Sequence, residues 1–213
     1  MTTTAPHPSA ERRSIPKPVT GLKIERRADE QPVLIGYAAV FYRADDPGTE
    51  FEMWPGAVER IMPGAYDSAL SRPDDVRALF NHDTDHVLGR TSAGTLRLSV
   101  DAVGLRYEID MPETQFARDL AASIERGDIS GSSFSFRDLK RTWIDDTSTP
   151  LEIREVHDVE LFDVGPVTFP AYDAASVSVA KRSRELASEE RRSVEREASR
   201  RKRRRRLAQL RRR

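Results

Sequence analysis

The sequence predicts a β-rich α+β domain. At least seven short apolar or alternating runs are set off by turn signals, two helical patterns fall among them in mixed order, and no regular βαβ alternation is present. This arrangement fits a closed or partly open β-barrel with flanking helices. The first nineteen residues are rich in Thr, Pro and Ser and lack periodicity, the composition of a disordered arm. Gly21 to Arg26 alternates as a half-buried strand does, and Pro32 to Tyr42 is apolar and aromatic, a second strand. Asp45-Asp46-Pro47-Gly48 is a turn. Ile61 to Tyr66 leads into a short helix that Asp67 or Ser68 would cap. Val76 to Phe80 is a short strand ending at Asn81-His82-Asp83. Thr95 to Val100 and Gly104 to Met111 form a hairpin. Pro112 opens the clearest helix: Phe116, Leu120 and Ile124 recur on one face, and Gly127 stands where a C-terminal cap belongs. Strands over 129–137 and 151–163 follow, then the apolar segment Pro166 to Tyr172.

From Lys181 onward there is no Pro, Gly or aromatic residue, and Glu, Arg, Ala, Ser and Leu dominate. The segment reads as a charged helical or disordered tail. The expected organisation is an arm over 1–19, a domain over 20–180 and a basic tail over 181–213. The formal net charge of zero hides a polarity: residues 181–213 carry 16 Lys+Arg against 5 Asp+Glu, and residues 1–180 carry 19 against 30. Body and tail are therefore separate physical objects. Cysteine is absent, which excludes disulfides, thiolate metal sites and a thiol nucleophile. No run approaches the roughly 18–20 apolar residues of a membrane span, and the N-terminus has no apolar core of a secretory signal. The histidines lack metal-ligand spacing, so neither metal nor cofactor is expected.

The chemistry concentrates in two places, Phe80-Asn81-His82-Asp83 and Gly127-Asp128-Ile129-Ser130-Gly131-Ser132-Ser133-Phe134-Ser135-Phe136. A serine hydroxyl becomes a useful nucleophile when a neighbouring base takes its proton, and His82 is placed to be that base. His86 lies in a looser loop and His7 in the arm. Three serines compete. In a strand over 129–137, Ser132 shares a face with Phe134 and Phe136, whereas Ser133 and Ser135 share the opposite one. The phenylalanine face should be core, which leaves Ser133 where a substrate reaches it. A third member would orient the imidazole. On the strand over 151–163, His157, Val159, Leu161 and Asp163 share one face, with Asp163 at the strand end. For each of these residues the plain alternative is structural: a turn histidine, solvated strand hydroxyls, a strand-end aspartate.

The whole pattern resembles the prohead (capsid maturation) serine proteases of tailed bacteriophages, themselves distantly similar to the herpesvirus maturational protease assemblin. The matching blocks run in order: Gly36 to Phe41, Ile61 to Tyr66, Leu79 to Asp83, Val87 to Arg90, Gly94 to Leu98, Gly104-Leu105, Gly127 to Phe134, and Val167 to Tyr172. They cover roughly residues 20–178. The resemblance implies an assemblin-like barrel and acyl transfer. The family's histidine falls on His82, its nucleophile on Ser133 and its acidic residue on Asp163. Many relatives carry glutamate at that last position and serine two residues later, where this chain has Asp163 and Gly165. Assemblin uses a second histidine as third member, which makes His157 the other candidate.

The resemblance further implies a place inside the procapsid in the bacterial host cytoplasm, the major capsid protein and its scaffold segment as partners, self-cleavage, and a homodimer. The arginine block Arg200 to Arg206 and Arg211 to Arg213 would dock on an acidic scaffold segment or on nucleic acid. No aromatics interleave with it, so base stacking is not indicated. Rival readings are a catalytically silent assembly protein on the same fold and a nucleic-acid-binding protein led by the tail.

Overall fold

The computed structural model describes residues 10–15, 20–26, 31–72, 75–145, 151–170 and the single position 192. The expectations for the basic tail, and for His7, lie outside the described residues. The elements run β1 (Glu11–Ile15), β2 (Lys23–Glu25), β3 (Val33–Val40), β4 (Glu50–Trp54), β5 (Ala57–Ile61), α1 (Asp67–Ser71), β6 (Arg77–Leu79), β7 (Val87–Arg90), β8 (Leu96–Val100), β9 (Gly104–Asp110), α2 (Gln115–Arg126), β10 (Gly131–Asp145) and β11 (Glu152–Val167).

The β-rich class is as expected; among the described residues the strands lie in two open sheets, and no closed barrel forms. A seven-stranded sheet has the order β1-β10-β11-β5-β4, with β6 and β7 continuing from the second half of β11. A four-stranded sheet has the order β2-β3-β9-β8. Among the described residues no strand joins β1 to β4 or β2 to β8, so neither sheet closes. One apolar cluster joins the two sheets: Leu34, Leu105, Tyr107 and Ile109 from one, Phe134, Phe136, Val156, Val159 and Leu161 from the other, with Leu120 and Ile124 of α2. A hydrogen bond from Tyr107 to Ser132, Oη to Oγ at 2.8 Å, joins the two sheets.

Strands β10 and β11 form a long antiparallel hairpin from Gly131 opposite Val167 to Asp145 opposite Glu152. Both outrun the expected lengths. Register shifts leave His157 unpaired between Lys140–Asp158 and Arg141–Val156. The alternation breaks there, and Val156 and Val159 both point into the core. Neither His157 nor Asp163, the latter across a further register shift at Phe162, therefore continues the face of Val159 and Leu161, as strict period-two counting had it.

Three further corrections concern local elements. Residues 11–15, assigned to the disordered arm on composition, form β1 because Ile15 is buried and the β10 edge offers backbone partners. The hairpin of β4 and β5 was missed because its glutamates and arginines mask the alternation; Pro55-Gly56 makes its turn. Helix α1 has Tyr66, not Asp67 or Ser68, at its N-cap, and no side chain caps it; the Ser68 hydroxyl is engaged by Asp158 instead. Helix α2 behaves as expected. The Thr114 hydroxyl accepts from Ala117 N, and Gly127 closes it in the left-handed conformation at φ 85°.

Gly165 sets how closely β6 approaches β11. A Cβ built there would lie 2.0 Å from the Leu79 carbonyl oxygen. A serine at this position is thus sterically barred in this backbone. Gly165→Ala is expected to lower stability by about 2–3 kcal/mol through forced separation of the two strands, read as a shift of the urea unfolding midpoint.

Candidate active site

The turn after β6 places His82. Asn81 and His82 both adopt left-handed backbone, at φ 54° and 58°. Two consecutive non-glycine residues in that region carry strain of order 1–3 kcal/mol each and persist only when surrounding contacts hold them. Here the contacts come from the end of β11. Asn81 N donates to the Pro166 carbonyl at 3.1 Å, Asn81 Nδ2 donates to Thr168 Oγ1 at 3.1 Å, and Thr168 N donates to Asn81 Oδ1 at 2.8 Å. The loop is clipped from both sides, and the His82 ring turns inward over the face opposite the core.

On that face three side chains meet. His82 Nδ1 lies 2.5 Å from Asp163 Oδ1 and His82 Nε2 lies 2.6 Å from Ser133 Oγ. Strand pairing brings the other two members together. Ser133 stands opposite Gly165 and Ser135 opposite Asp163, so the carboxylate and the nucleophile candidate share one face of the β10–β11 hairpin, displaced by two pairs. All three groups are buried: 8% of His82, none of Ser133 and 1% of Asp163 is exposed. In this dry setting a carboxylate on one nitrogen fixes the proton at Nδ1 and leaves the Nε2 lone pair facing the hydroxyl.

The structure separates the rivals. Ser132 points into the core and spends its hydroxyl on Tyr107. Ser135 is buried without a partner among the described residues, and so is Asp163 Oδ2. His157 sits six residues before Asp163 on β11, roughly 20 Å along the strand at about 3.3 Å per residue, and contacts Thr142 Oγ1 at 3.0 Å. His86 is held by Asp83 at 2.8 Å and lies against the Phe116 ring, 4.4 Å between centroids. Of the residues singled out in the sequence, the fold gathers His82, Ser133 and Asp163 and leaves His157 and His86 elsewhere.

One expectation fails. Ser133 is not open to solvent, because β1 lies along the free edge of β10. Ser14 pairs with Ser133 and Arg13 with Phe134, and the Ser133 hydroxyl lies 2.8 Å from the Arg13 carbonyl oxygen.

Beside this contact is an ionic cluster that sequence reasoning missed. Glu59 of β5, wholly buried, receives Arg13 Nε at 2.7 Å and Nη2 at 3.0 Å. Arg154 of β11 bonds Glu59 at 2.7 Å, Glu11 at 2.7 Å and Asp138 at 3.0 Å. Burial opposes ionisation of Glu11, but the bond from Arg154 and the charges of Arg13 and Arg154 outweigh it and hold its carboxyl at about 2. The signal in the sequence was slight: Ala57, Glu59 and Ile61 alternate with Val58 and Arg60, which puts Glu59 on the inward face.

Among the described residues no group of three or more His, Cys, Asp or Glu side chains is disposed to hold a metal, and no helix is long and apolar enough to cross a membrane. The profile of a family described as caudovirus prohead serine protease matches residues 21–190. Searches among curated proteins and among solved structures return no match.

Proposed function

Because the chain belongs to the caudovirus prohead serine protease family, we propose that it is a serine endopeptidase of phage head maturation with Ser133 as nucleophile, His82 as general base and acid, and Asp163 as the residue that orients His82. The observation that carries this reading is the unbroken file Asp163–His82–Ser133, with contacts of 2.5 and 2.6 Å, on a face that a neighbouring strand can reach.

In the first half-reaction Ser133 Oγ attacks the peptide carbonyl carbon while His82 Nε2 takes the hydroxyl proton. The imidazolium that forms is stabilised by Asp163 across Nδ1–H. His82 then returns the proton to the leaving amine. Water enters, gives its proton to His82 and releases the acyl group from Ser133 as a carboxylate. The burial of the file strengthens each of these charge interactions relative to water.

The substrate in this reading is scaffold, or the scaffold region of the major capsid protein, met inside the procapsid in the host cell, and the enzyme also cuts itself. The basic tail would hold the enzyme on an acidic scaffold segment, and two copies would pair. The test is co-expression with the capsid protein and its scaffold segment. Wild type should shorten the capsid protein, and His82→Ala should leave it full length. Full-length capsid protein in both cases overturns the reading.

A further inference from the structure

Strand β1 occupies the edge against which a peptide must lie to meet Ser133. When β1 leaves, β10 presents an unpaired edge that an extended chain can join by backbone pairing. The way β1 fills that place is specific. Its Arg13 carbonyl lies on the Ser133 hydroxyl at 2.8 Å. Its Arg13 guanidinium is gripped at two points by the buried Glu59 carboxylate and lies over the Phe136 ring, 5.6 Å from the centroid. Next along the strand, Ile15 is buried.

With β1 in place Glu59 is fully enclosed. Without β1, the cluster keeps Glu59, Asp138 and Arg154, two carboxylates against one guanidinium. Glu59 Oε1 then loses the Arg13 Nε bond. A buried carboxylate left short of a partner is costly. The planar fork of an arginine fits it better than any other side chain.

The sequence supplies a second, independent observation. Glu11-Arg12-Arg13-Ser14-Ile15 recurs near the other end of the chain as Glu190-Arg191-Arg192-Ser193-Val194, four positions identical and the fifth β-branched and apolar in both. Both Arg-Arg-Ser triplets fall outside residues 21–190, the span that matches the family profile.

We propose that β1 is a substrate-like strand held in the active site, that Glu59 selects arginine immediately before the cut bond, and that the enzyme cuts its own chain at Arg13–Ser14 and at Arg192–Ser193. This rests on the peptidase reading above and names the substrate class of the same site. Ser133 Oγ bonds to the Arg13 carbonyl carbon, the bond from that carbon to Ser14 N breaks, and the Ser133 proton passes through His82 to the new Ser14 amine. Water then cleaves the ester, leaving an Arg13 carboxylate and free Ser133. The same sequence of steps at Arg192 releases residues 193–213 with the dense arginine block.

The experiment is intact mass and terminal-peptide mapping of the full chain over time, with fluorophosphonate labelling of Ser133 in parallel. Wild type should lose residues 1–13 and 193–213, and Ser133→Ala should keep both. Arg192→Glu should keep the tail and still lose the arm. Glu59→Gln should label at Ser133, which reports an intact site, yet cut both bonds about a hundredfold more slowly. Ser133-dependent cuts at bonds not preceded by arginine overturn the inference and leave the peptidase reading standing. So does labelling of wild type without any self-cutting. Unaltered rates in Glu59→Gln overturn the role of Glu59. Absence of both labelling and cutting overturns the inference and the peptidase reading together.

Discussion

Ser133→Ala is expected to slow peptide hydrolysis by roughly 10⁴–10⁶-fold and to leave the fold in place. The hydroxyl carries one hydrogen but meets two acceptors, His82 Nε2 at 2.6 Å and the Arg13 carbonyl at 2.8 Å, so it can donate to only one at a time. With neutral His82 the hydrogen goes to Nε2, the arrangement that precedes attack. With imidazolium, Nε2–H donates to Oγ and the hydroxyl turns to Arg13. Alanine removes the group that forms the covalent bond, yet β1 keeps its backbone pairing and its arginine clamp. The stability cost should stay near the ~1 kcal/mol of a single lost hydrogen bond. In the proposed mechanism the three residues act as a unit, so Ser133→Ala combined with His82→Ala should be no slower than either alone. Hydrolysis of a peptide containing Glu-Arg-Arg-Ser-Val, with circular dichroism as the fold control, reads both quantities. Residual Ser133-independent hydrolysis near the wild-type rate would remove Ser133 from the mechanism.

Asp163→Asn is the second large effect, about 10³–10⁴-fold in kcat, whereas His157→Gln should change kcat by less than about twofold. Asp163 Oδ1 is 2.5 Å from His82 Nδ1 and almost wholly buried. A carboxylate there accepts a hydrogen bond from Nδ1–H, which keeps the proton on Nδ1 and frees Nε2 to act as base. The amide is nearly isosteric, but its N–H₂ can face Nδ1 and stabilise the other tautomer, with the proton on Nε2 pointing at Ser133. The ring stays in place and cannot take the serine proton. His157 contacts Thr142 on the far part of the hairpin, beyond the register shifts, and has no route to the imidazole. Equal losses for the two variants would exclude Asp163 as the specific partner of His82.

The parts of this site that were legible in the sequence are those that depend on local period. Alternation put Phe134 and Phe136 on one face and Ser133 on the other, and the i, i+4 repeat of Phe116, Leu120 and Ile124 with Gly127 fixed α2. The bulge at His157 was not legible, because one inserted residue inverts the face of everything before it and leaves no residue-type signature. Nor was β1. Its Arg12, Arg13 and Ser14 make poor strand material by composition, and what orders them is Glu59 from β5 and the edge of β10, both far away in sequence. Glu59 itself reads as a surface residue until Arg154 is known to lie beside it. Whether the sheets close was not legible, because closure depends on pairings between distant strands, which residue patterns within single strands do not encode.

The pairing of Ser133 with the Arg13 carbonyl joins residues 120 positions apart, and this has a consequence for how the chain is made. Synthesis delivers β1 first and β10 much later, with Asp163 later still. Until Asp163 is released from the ribosome the file of three side chains is incomplete. When β10 does emerge, a strand that fits its edge is already tethered nearby at high effective concentration. The edge most exposed to mispairing is covered as it forms. The N-terminal strand thus covers, from within the same chain, the edge of β10 that would otherwise stand open to another strand.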